Sequence, residues 1–337
     1  MKKNLQINIK RVAVLGGGSW ATALVKVLCH TQSQVGWYIR DVDNKEYIKK
    51  YGHNRHYLRS AMLDVDKLHI DNNIEQVVKG ADVVIVAIPS AYFLSEFSKV
   101  NIALDDKILV SAVKGFVTDE HLTVAEYFNK IHNVPFDKIG VITGPCHAEE
   151  VASERLSYMT IGSKYIEVAE ELCGLLRTKY LRTIPSTDIY GLEYAAALKN
   201  IYAIGAGIAS GLGYGDNFLS VLIANSFREM ANYINSTYST EDRHTDRSAY
   251  LGDLLVTCYS QFSRNRTFGT MIGKGYDVLN AQLEMKMIAE GYYACQALEH
   301  INSIHKVDMP IASAVYKILY EGASASNTFR RVLFSLL

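Results

Sequence analysis

The first half of the chain alternates short β-rich runs with segments of helical periodicity. Several runs are apolar at every position, as in Val83–Ile88, which is typical of strands that helices cover on both faces. The alternation predicts an α/β fold with a mainly parallel sheet that ends near residue 184. The predicted strands are Arg11–Leu15, Gln34–Ile39, Asp82–Ile88, Lys107–Ser111, Lys138–Ile142, Ser157–Gly162 and Leu181–Ile184.

After residue 187 the pattern changes to long helical periods with almost no strand signal. The predicted helices are Ile189–Ser210, Asn217–Ile234, Ala249–Cys258, Glu290–His305 and Ile311–Tyr320. The glycines Gly211, Gly213 and Gly215 form a turn between the first two. We therefore expect two domains, an α/β domain over residues 1–187 and an all-α domain over residues 188–337.

Composition and charge exclude several kinds of partner. The chain has 337 residues, of which 49% are apolar, and a formal net charge of zero. A protein whose main work is to bind nucleic acid or an anionic membrane needs a basic surface, so neither partner is expected. The apolar stretch Ile201–Gly215 is rich in glycine and shorter than the ~18–20 residues of a membrane span, so we expect no integral membrane association.

The cysteines and the N-terminus indicate the compartment. The cysteines are odd in number, widely spaced and without a CxxC motif, which predicts neither a disulfide framework nor a zinc site. They are Cys29, Cys146, Cys173, Cys258 and Cys295. The basic start Met1–Lys3 is followed by an apolar run, Val12–Leu15, that is too short for a signal-peptide core. We expect a reduced, cytoplasmic setting and no bound metal.

Three glycines follow the first predicted strand and precede an apolar helix. Gly16, Gly17 and Gly18 form with Ala21 a G-x-G-x-x-A sequence, in the strand–turn–helix context that a dinucleotide fingerprint requires. Gly16 would make the tight turn, and Gly18 would let the backbone approach a pyrophosphate on the helix N-terminus. The first domain is therefore predicted to be of the Rossmann type and to bind NAD or NADP.

The end of the second predicted strand bears on the choice of cofactor. Arg40 and then Asp41 stand about twenty residues after the glycine loop, where an acid would contact the ribose of NAD. A guanidinium there can pair with a 2′-phosphate, so we expect NADPH to be accepted, while Asp41 keeps NAD possible. The alternative is that Arg40 is only a solvated residue at a strand end.

Two lysines are candidates for chemistry. Lys199 interrupts an alanine-rich helical run, whose small side chains leave room for a substrate or cofactor to approach the ammonium. Alternatively, the aliphatic part of Lys199 only lies along an apolar surface and its ammonium group reaches solvent. Lys114 follows the strand that ends at Ser111, at the edge where doubly wound sheets bind ligands. A loop lysine in such a place can equally be only solvated.

Asp253 is the one charged residue between Arg247 and Arg264, and it lies in the apolar run Tyr250–Cys258. Burial of an unpaired carboxylate costs several kcal/mol, so we expect Asp253 to meet a cation in the wall of a site. The alternative is an acid in the first turn of a solvated helix.

Together these segments resemble the NAD(P)-dependent glycerol-3-phosphate dehydrogenase family, of the bacterial type. The likeness runs from the first strand to about Tyr320. The segments that carry it are Gly16–Leu24, Val113–Gly115, Gly144–Pro145, Leu198–Gly207, Gly211–Asn217, Gly252–Leu254, Ser263–Arg266 and Glu290–Tyr292.

The resemblance implies a role for particular residues. Lys199 would be the proton donor and acceptor at the secondary oxygen of the substrate, with Lys114 and Asp253 beside it. The implied cofactor contacts, besides Gly16 and Gly18, are Ser19, Trp20, Arg40, Lys114, Ala148, Arg264, Ile288 and Glu290. The implied substrate contacts are Lys114, Gly144, Cys146, Lys199, Asn200, Asp253, Ser263, Arg264 and Asn265, with the substrate phosphate near Asn200 and the last three.

The reaction implied is the reversible reduction of dihydroxyacetone phosphate to sn-glycerol 3-phosphate by NADH or NADPH, for glycerophospholipid synthesis. A free lysine has a pKa near ~10.4 and is protonated at neutral pH, which suits the acid role in reduction. Asp253 would hold the proton on Lys199, whereas Lys114 and burial would loosen it. We expect a chain that runs mainly as a reductase and forms a homodimer.

The chain departs from the family pattern at two places. Cys146 stands where serine, threonine or asparagine is usual, so a hydrogen bond from it to the substrate is in question. Cys146 and His147 are interpreted as packing residues or, alternatively, as a redox switch. The usual basic residue is missing at Ala224 and Asn225, with Arg228 one turn later.

Two other functions fit the Rossmann half. One is a two-domain dehydrogenase that acts on a hydroxy acid or a sugar acid, which Asp253, Arg264 and Asn265 oppose. The other is a cofactor-binding sensor without turnover, which Lys114, Lys199, Asp253 and Arg264 oppose.

Overall fold

The computed structural model of the chain describes residues 9–240, 243–285 and 288–335. The chain divides into two compact units. The first contains the residues up to Val113 together with Val124–Ile189, and the second contains Lys114–Thr123 together with the residues from Tyr190 onward. Lys114–Thr123, which the sequence placed in the first domain, joins the second unit because its side chains pack there, as Phe116 does against Tyr194 with ring centroids 5.3 Å apart.

The described residues of the first unit form one eight-stranded sheet. Its strands are β1 (Val12–Leu15), β2 (Val35–Tyr38), β3 (Leu68–Asp71), β4 (Val83–Val86), β5 (Ile108–Ser111), β6 (Ile139–Thr143), β7 (Ser157–Ser163) and β8 (Leu181–Ser186). Their order across the sheet is β3-β2-β1-β4-β5-β6-β7-β8, and all neighbours are parallel except β6 and β7.

Helices follow most of the strands and make up most of the second unit. Those of the first unit are α1 (Ser19–Thr31), α2 (Val42–Tyr51), α3 (Ile74–Lys79), α4 (Ser90–Phe97), α5 (Val124–Lys130), α6 (Ala148–Ala152) and α7 (Ile166–Leu176). The later ones are α8 (Ile189–Gly211), α9 (Asp216–Thr237), α10 (Asp253–Tyr259), α11 (Arg264–Gly273), α12 (Val278–Glu284), α13 (Glu290–His305), α14 (Pro310–Tyr320) and α15 (Ala325–Ser335). Among the described helices, none has both the length and the hydropathy to span a membrane.

The predicted fold class is confirmed. Every residue of β1, β4, β5 and β6 is buried, as their continuous apolar sequences indicated. The sequence missed β3, because two of its four residues are the polar His69 and Asp71 and it lies at the edge of the sheet. It also missed α11, α12 and α15, and it joined the π-helical turn Ser248–Gly252 to α10 as one helix.

A buried carboxylate joins three helices of the second unit. Glu229 of α9 accepts hydrogen bonds from the backbone N–H groups of Ile311 and Ala312, both at 2.9 Å, in the first turn of α14. It also accepts one from the Tyr202 hydroxyl of α8 at 3.2 Å. Glu229 therefore satisfies N–H groups that the start of a helix leaves without an intrahelical partner.

Candidate active site

The predicted site residues fall in both units. Those in the first unit are Gly16, Gly18, Ser19, Trp20, Arg40, Gly144, Cys146 and Ala148, and those in the second are Lys114, Lys199, Asn200, Asp253, Ser263, Arg264, Asn265, Ile288 and Glu290.

The glycine loop between β1 and α1 has the geometry that a pyrophosphate requires. Gly16 has a φ of +128°, and a Cβ there would lie 2.6 Å from the Ala87 carbonyl oxygen, so only glycine fits. A Cβ on Gly18 would meet nothing within 4 Å, which leaves space above this backbone. Gly18 begins α1 without a side-chain cap, and Ser19 and Trp20 are the first residues of the helix. A helix start that follows such a glycine turn is a suitable place for a pyrophosphate, because the helix dipole favours an anion there.

Asn54, which the sequence analysis did not select, supports that loop. It is fully buried, and its Nδ2 donates to the Gly17 carbonyl at 3.1 Å and to the Thr22 hydroxyl at 2.9 Å. Its Oδ1 accepts from Asn44 Nδ2 at 3.2 Å. Asn54 thus ties the loop to α1 and α2, and its position in an irregular segment carried no periodic signal.

A cleft of about 230 Å³ opens beside the glycine loop, where β2 ends. Its lining residues are Gly16, Gly17, Gly18, Tyr38, Ile39, Arg40, Asp41, Asn44, His56, Tyr57, Ile88, Pro89, Tyr92 and Glu96. Arg40 is not merely solvated: although its side chain is 66% exposed, Nη1 lies 3.3 Å from Glu96 Oε1 and the guanidinium lies 5.7 Å from the centre of the Tyr92 ring.

Asp41 is occupied by other partners in the same cleft. Its Oδ1 accepts from the backbone N–H of Asn44 at 3.0 Å and thereby caps α2. Its Oδ2 lies 3.3 Å from His56 Nε2.

The loop after β6 contains three further predicted residues. Gly144 has a φ of +120°, and a Cβ there would lie 2.9 Å from the Tyr158 carbonyl oxygen. Cys146 is buried, and its thiol donates to the same carbonyl at 3.2 Å. This contact supports the interpretation of Cys146 as a packing residue. Ala148 is buried as the first residue of α6.

Lys199, Asp253 and Lys114 form one charged cluster in the second unit, in which Lys199 and Asp253 are buried and Lys114 is half-buried. Asp253 is 1% exposed, and its Oδ1 accepts a hydrogen bond from the Lys199 ammonium, while Lys114 Nζ lies 3.7 Å from Oδ2. The prediction that Asp253 meets cations is confirmed, and the solvated-helix alternative is wrong. When Lys199 is protonated, two cations share one carboxylate, and the cluster then carries a net positive charge that suits an anionic ligand.

Burial has the largest influence on Lys199. Removal from water lowers the pKa of Lys199 to about 7, although Asp253 raises it, and the charge of Lys114 lowers it further. The amine can therefore both donate and accept a proton near neutral pH.

Thr257, which the sequence analysis did not single out, lies one turn after Asp253 on α10. Its hydroxyl donates to the backbone carbonyl of Asp253 at 2.5 Å and lies 3.4 Å from Oδ1. The spacing of four residues on a helix was the available signal, because such residues share a face.

A chain of amides joins the segments around this cluster. Asn200 Nδ2 donates to the Lys114 carbonyl at 2.8 Å, and Asn200 Oδ1 accepts from Asn265 Nδ2 at 2.9 Å. Asn265 Oδ1 in turn accepts from the backbone N–H of Gly291 at 2.9 Å. An amide nitrogen has two hydrogens, so each asparagine can still donate one to a phosphate.

The start of α11 offers further donors. Ser263 caps the helix by accepting from the Arg266 N–H at 3.3 Å, and Arg264 and Asn265 form its first turn. Arg264 is half-buried. A helix start beside a guanidinium is a suitable place for a phosphate dianion.

Glycines bring α11 against α8. A Cβ on Gly207 would lie 2.1 Å from the Arg266 carbonyl oxygen, and one on Gly269 would lie 2.1 Å from the Ile204 carbonyl oxygen. The two backbones are therefore in contact, and this crossing sets the position of Asn265 relative to Asn200.

Ile288 and Glu290 lie at the start of α13, and both are half-buried. Within the described part of the chain, no group of three or more His, Cys, Asp or Glu side chains could hold a metal ion.

Comparison with known proteins identifies the family. The model of the NAD-dependent glycerol-3-phosphate dehydrogenase N-terminus matches residues 11–169, and that of the C-terminus matches residues 188–330. A glycerol-3-phosphate dehydrogenase (NAD(P)+) from Exiguobacterium sp. is 33% identical over 324 residues, 96% of this chain and 94% of that protein. One from Chlorobium phaeobacteroides is 33% identical over 319 residues, 94% of this chain and 95% of that protein.

A solved structure agrees with these relatives. The glycerol-3-phosphate dehydrogenase of Coxiella burnetii superposes with a TM-score of 0.87 at 25% identity, over 96% of this chain and 99% of that one. The chain belongs to the NAD(P)-dependent glycerol-3-phosphate dehydrogenase family.

Proposed function

We propose that the protein reversibly reduces dihydroxyacetone phosphate to sn-glycerol 3-phosphate with NADH or NADPH, and that Lys199 exchanges the proton. The observation that carries this proposal is the buried contact between Lys199 and Asp253, together with the burial that lowers the pKa of Lys199 to about 7. A lysine with that pKa suits general acid–base catalysis at neutral pH.

The cofactor would be held by the glycine loop and the cleft beside it. Gly16, Gly18 and the start of α1 would receive the pyrophosphate, and Arg40 would lie at the ribose end. When bound, the reduced nicotinamide supplies a hydride to the substrate carbonyl. The resemblance adds contacts from Ser19, Trp20, Lys114, Ala148, Arg264, Ile288 and Glu290.

The substrate would be oriented by the charged cluster and by α11. Lys199 would protonate the oxygen that becomes the secondary hydroxyl, and Lys114 would add positive charge beside it. Asp253 Oδ2 has no hydrogen-bond donor among the described residues, so it can accept a bond from a substrate hydroxyl. Asn200, Ser263, Arg264 and Asn265 would bind the phosphate, with Gly144 and Cys146 as the further substrate contacts that the resemblance implies.

The physiological role follows from the product. We propose that the enzyme runs mainly as a cytoplasmic reductase. With its pKa at about 7, Lys199 is protonated in a large fraction of the molecules at neutral pH, so the acid form that reduction needs is available. Its product would supply glycerophospholipid synthesis. We further propose a homodimer, the commonest arrangement of soluble oligomers.

The test is oxidation of NADH and NADPH in the presence of dihydroxyacetone phosphate. Lys199→Ala should lower turnover by about 10²–10⁴-fold with cofactor binding intact. Lys107→Met is a matched control, because Lys107 is also a buried lysine but donates to the Ala81 carbonyl, at 3.0 Å, in the first unit. Equal losses in both variants would remove Lys199 from the mechanism.

Two outcomes would favour the other functions. Cofactor binding without turnover of any ketone would indicate a sensor. Turnover of a hydroxy acid or a sugar acid in preference to glycerol 3-phosphate would indicate a different dehydrogenase.

A further inference from the structure

Glu96 is a buried carboxylate in the wall of the cleft that contains Arg40. It extends from α4, its side chain is only 7% exposed, and it lines the cleft together with the glycine loop. The sequence analysis gave it no role, because its segment has an ordinary helical pattern.

Three donors converge on this carboxylate. Oε2 accepts a hydrogen bond from the Tyr38 hydroxyl at the end of β2. Oε1 lies 3.3 Å from Arg40 Nη1 and 2.9 Å from Lys99 Nζ. Burial raises the pKa of Glu96, but these three donors outweigh it, so the pKa is lower than usual and the group is charged at neutral pH.

The negative charge of Glu96 is thus fixed against the guanidinium that would receive a 2′-phosphate. Only Nη1 of Arg40 contacts it, and a guanidinium has five N–H donors, so Arg40 keeps donors for a phosphate. Glu96 nevertheless reduces the positive potential at Arg40. Asp41, the other acid among the described residues that line the cleft, lies against the α2 N-terminus and His56.

We infer that Glu96 is a specificity-determining residue that weakens the binding of the 2′-phosphate, so that NADPH loses much of the advantage that Arg40 would otherwise give it over NADH. The inference rests on the proposed function, because it assumes that the cleft binds the ribose end of the cofactor. A like charge beside an anion opposes its binding, whereas the neutral 2′-hydroxyl of NADH is little affected.

The test is a calorimetric titration of the purified full-length chain with NADPH and with NADH. This measurement gives the Kd of each cofactor and needs no turnover. Glu96→Gln keeps the size of the side chain and removes its charge. It should lower the Kd of NADPH by about tenfold and change that of NADH by less than about twofold. Thermal melts of each variant show whether it is folded.

A matched control is Glu126→Gln. Glu126 is another glutamate with a 7% exposed side chain, it lies 3.3 Å from Lys130 on α5, and it does not line the cleft. This change should leave the ratio of the two Kd values unaltered.

A second variant covers the case in which Glu96→Gln does not fold. Lys99 is 52% exposed, and Lys99→Met leaves Arg40 as the one cation on the carboxylate among the residues that the structure describes. The Kd of NADPH should therefore rise relative to that of NADH. The inference would be overturned if the Kd values of NADPH and NADH changed by the same factor, or if neither of them changed. A wild-type chain that binds neither cofactor would instead contradict the proposed function, and the inference with it.

Discussion

Burial lowers the pKa of Lys199, whereas the neighbouring charge of Asp253 raises it. The sequence names both influences, since Lys199 lies in an apolar helix and Asp253 in an apolar run. It does not give their relative size, because the depth of burial depends on how α8 is packed. With Lys199 only 4% exposed, desolvation has the larger effect and the pKa falls to about 7.

The pH dependence of turnover should report this pKa. Reduction needs the protonated amine, so kcat/KM for dihydroxyacetone phosphate should fall as pH rises through about 7. Oxidation needs the neutral amine, so its kcat/KM should fall as pH drops through the same value. Asp253→Asn removes the group that raises this pKa, so both limbs should move to lower pH. Limbs near the pKa of a free lysine would contradict the assignment.

Arg264 should act on substrate capture. Arg264→Ala removes charge-assisted hydrogen bonds to the phosphate, which should raise KM for dihydroxyacetone phosphate by about 10–100-fold with a smaller change in kcat. Steady-state kinetics with unphosphorylated dihydroxyacetone provides the control, because its poor turnover should not change. If both substrates suffered equally, Arg264 would not bind the phosphate.

The crossing of α8 and α11 shows how whole helices position the site. The sequence predicted most of α8 as a helix, but it missed α11, since the segment begins with the polar residues Arg264 and Asn265 and contains glycines. Gly207 and Gly269 act as contact points between the two backbones. Glycines that interrupt a helical pattern in sequence are here what lets the helices approach.

Gly207→Ala should therefore damage both stability and activity. The added Cβ would lie 2.1 Å from a carbonyl oxygen, so α11 must move. Overpacking of this kind costs about 1–3 kcal/mol, and a displacement near 1 Å can cost about 10²-fold in rate. Melting curves and turnover measure the two effects. Gly174→Ala, on α7 with nothing within 4 Å, is the control and should be neutral or stabilising. Normal turnover by Gly207→Ala would contradict the argument.

Across the whole molecule, local sequence patterns predicted the strands and helices better than they predicted the contacts between polar side chains. Buried strands such as β4 are apolar throughout, so they stand out in sequence. The isolation of Asp253 likewise predicted its burial beside a cation. The contact of Arg40 with Glu96, 56 residues away, leaves no local pattern. Asn54 was missed for the same reason. The domain boundary at residues 187 and 188 stays a prediction.

The stability of the fold should depend on pH through Glu229. Burial raises the pKa of Glu229 from 4.5 to about 7, despite its three hydrogen-bond donors. Between pH 4.5 and about pH 7, the Glu229 carboxyl is therefore protonated in the folded state and ionised in the unfolded state. Its contribution to the free energy of unfolding is complete below about pH 4.5 and is lost as pH rises through about 7.

Melting temperatures between pH 5 and pH 8 test this. The wild type should lose roughly 2–5 °C more than Glu229→Gln as pH rises, because the amide does not titrate. Parallel curves for the two proteins would mean that Glu229 keeps an ordinary pKa.

Lys114–Thr123 belongs to the second unit, although the chain before and after it belongs to the first. This connectivity has a consequence for recombination between related genes. A gene cut after residue 187 would leave Lys114 on one fragment, and Asp253 and Lys199 on the other. A recombinant made from two related genes at that point would combine the lysine loop of one parent with the helices of the other. Such chimaeras should work only where the parents agree in this short loop, whereas exchange of the loop together with the helical half preserves the cluster.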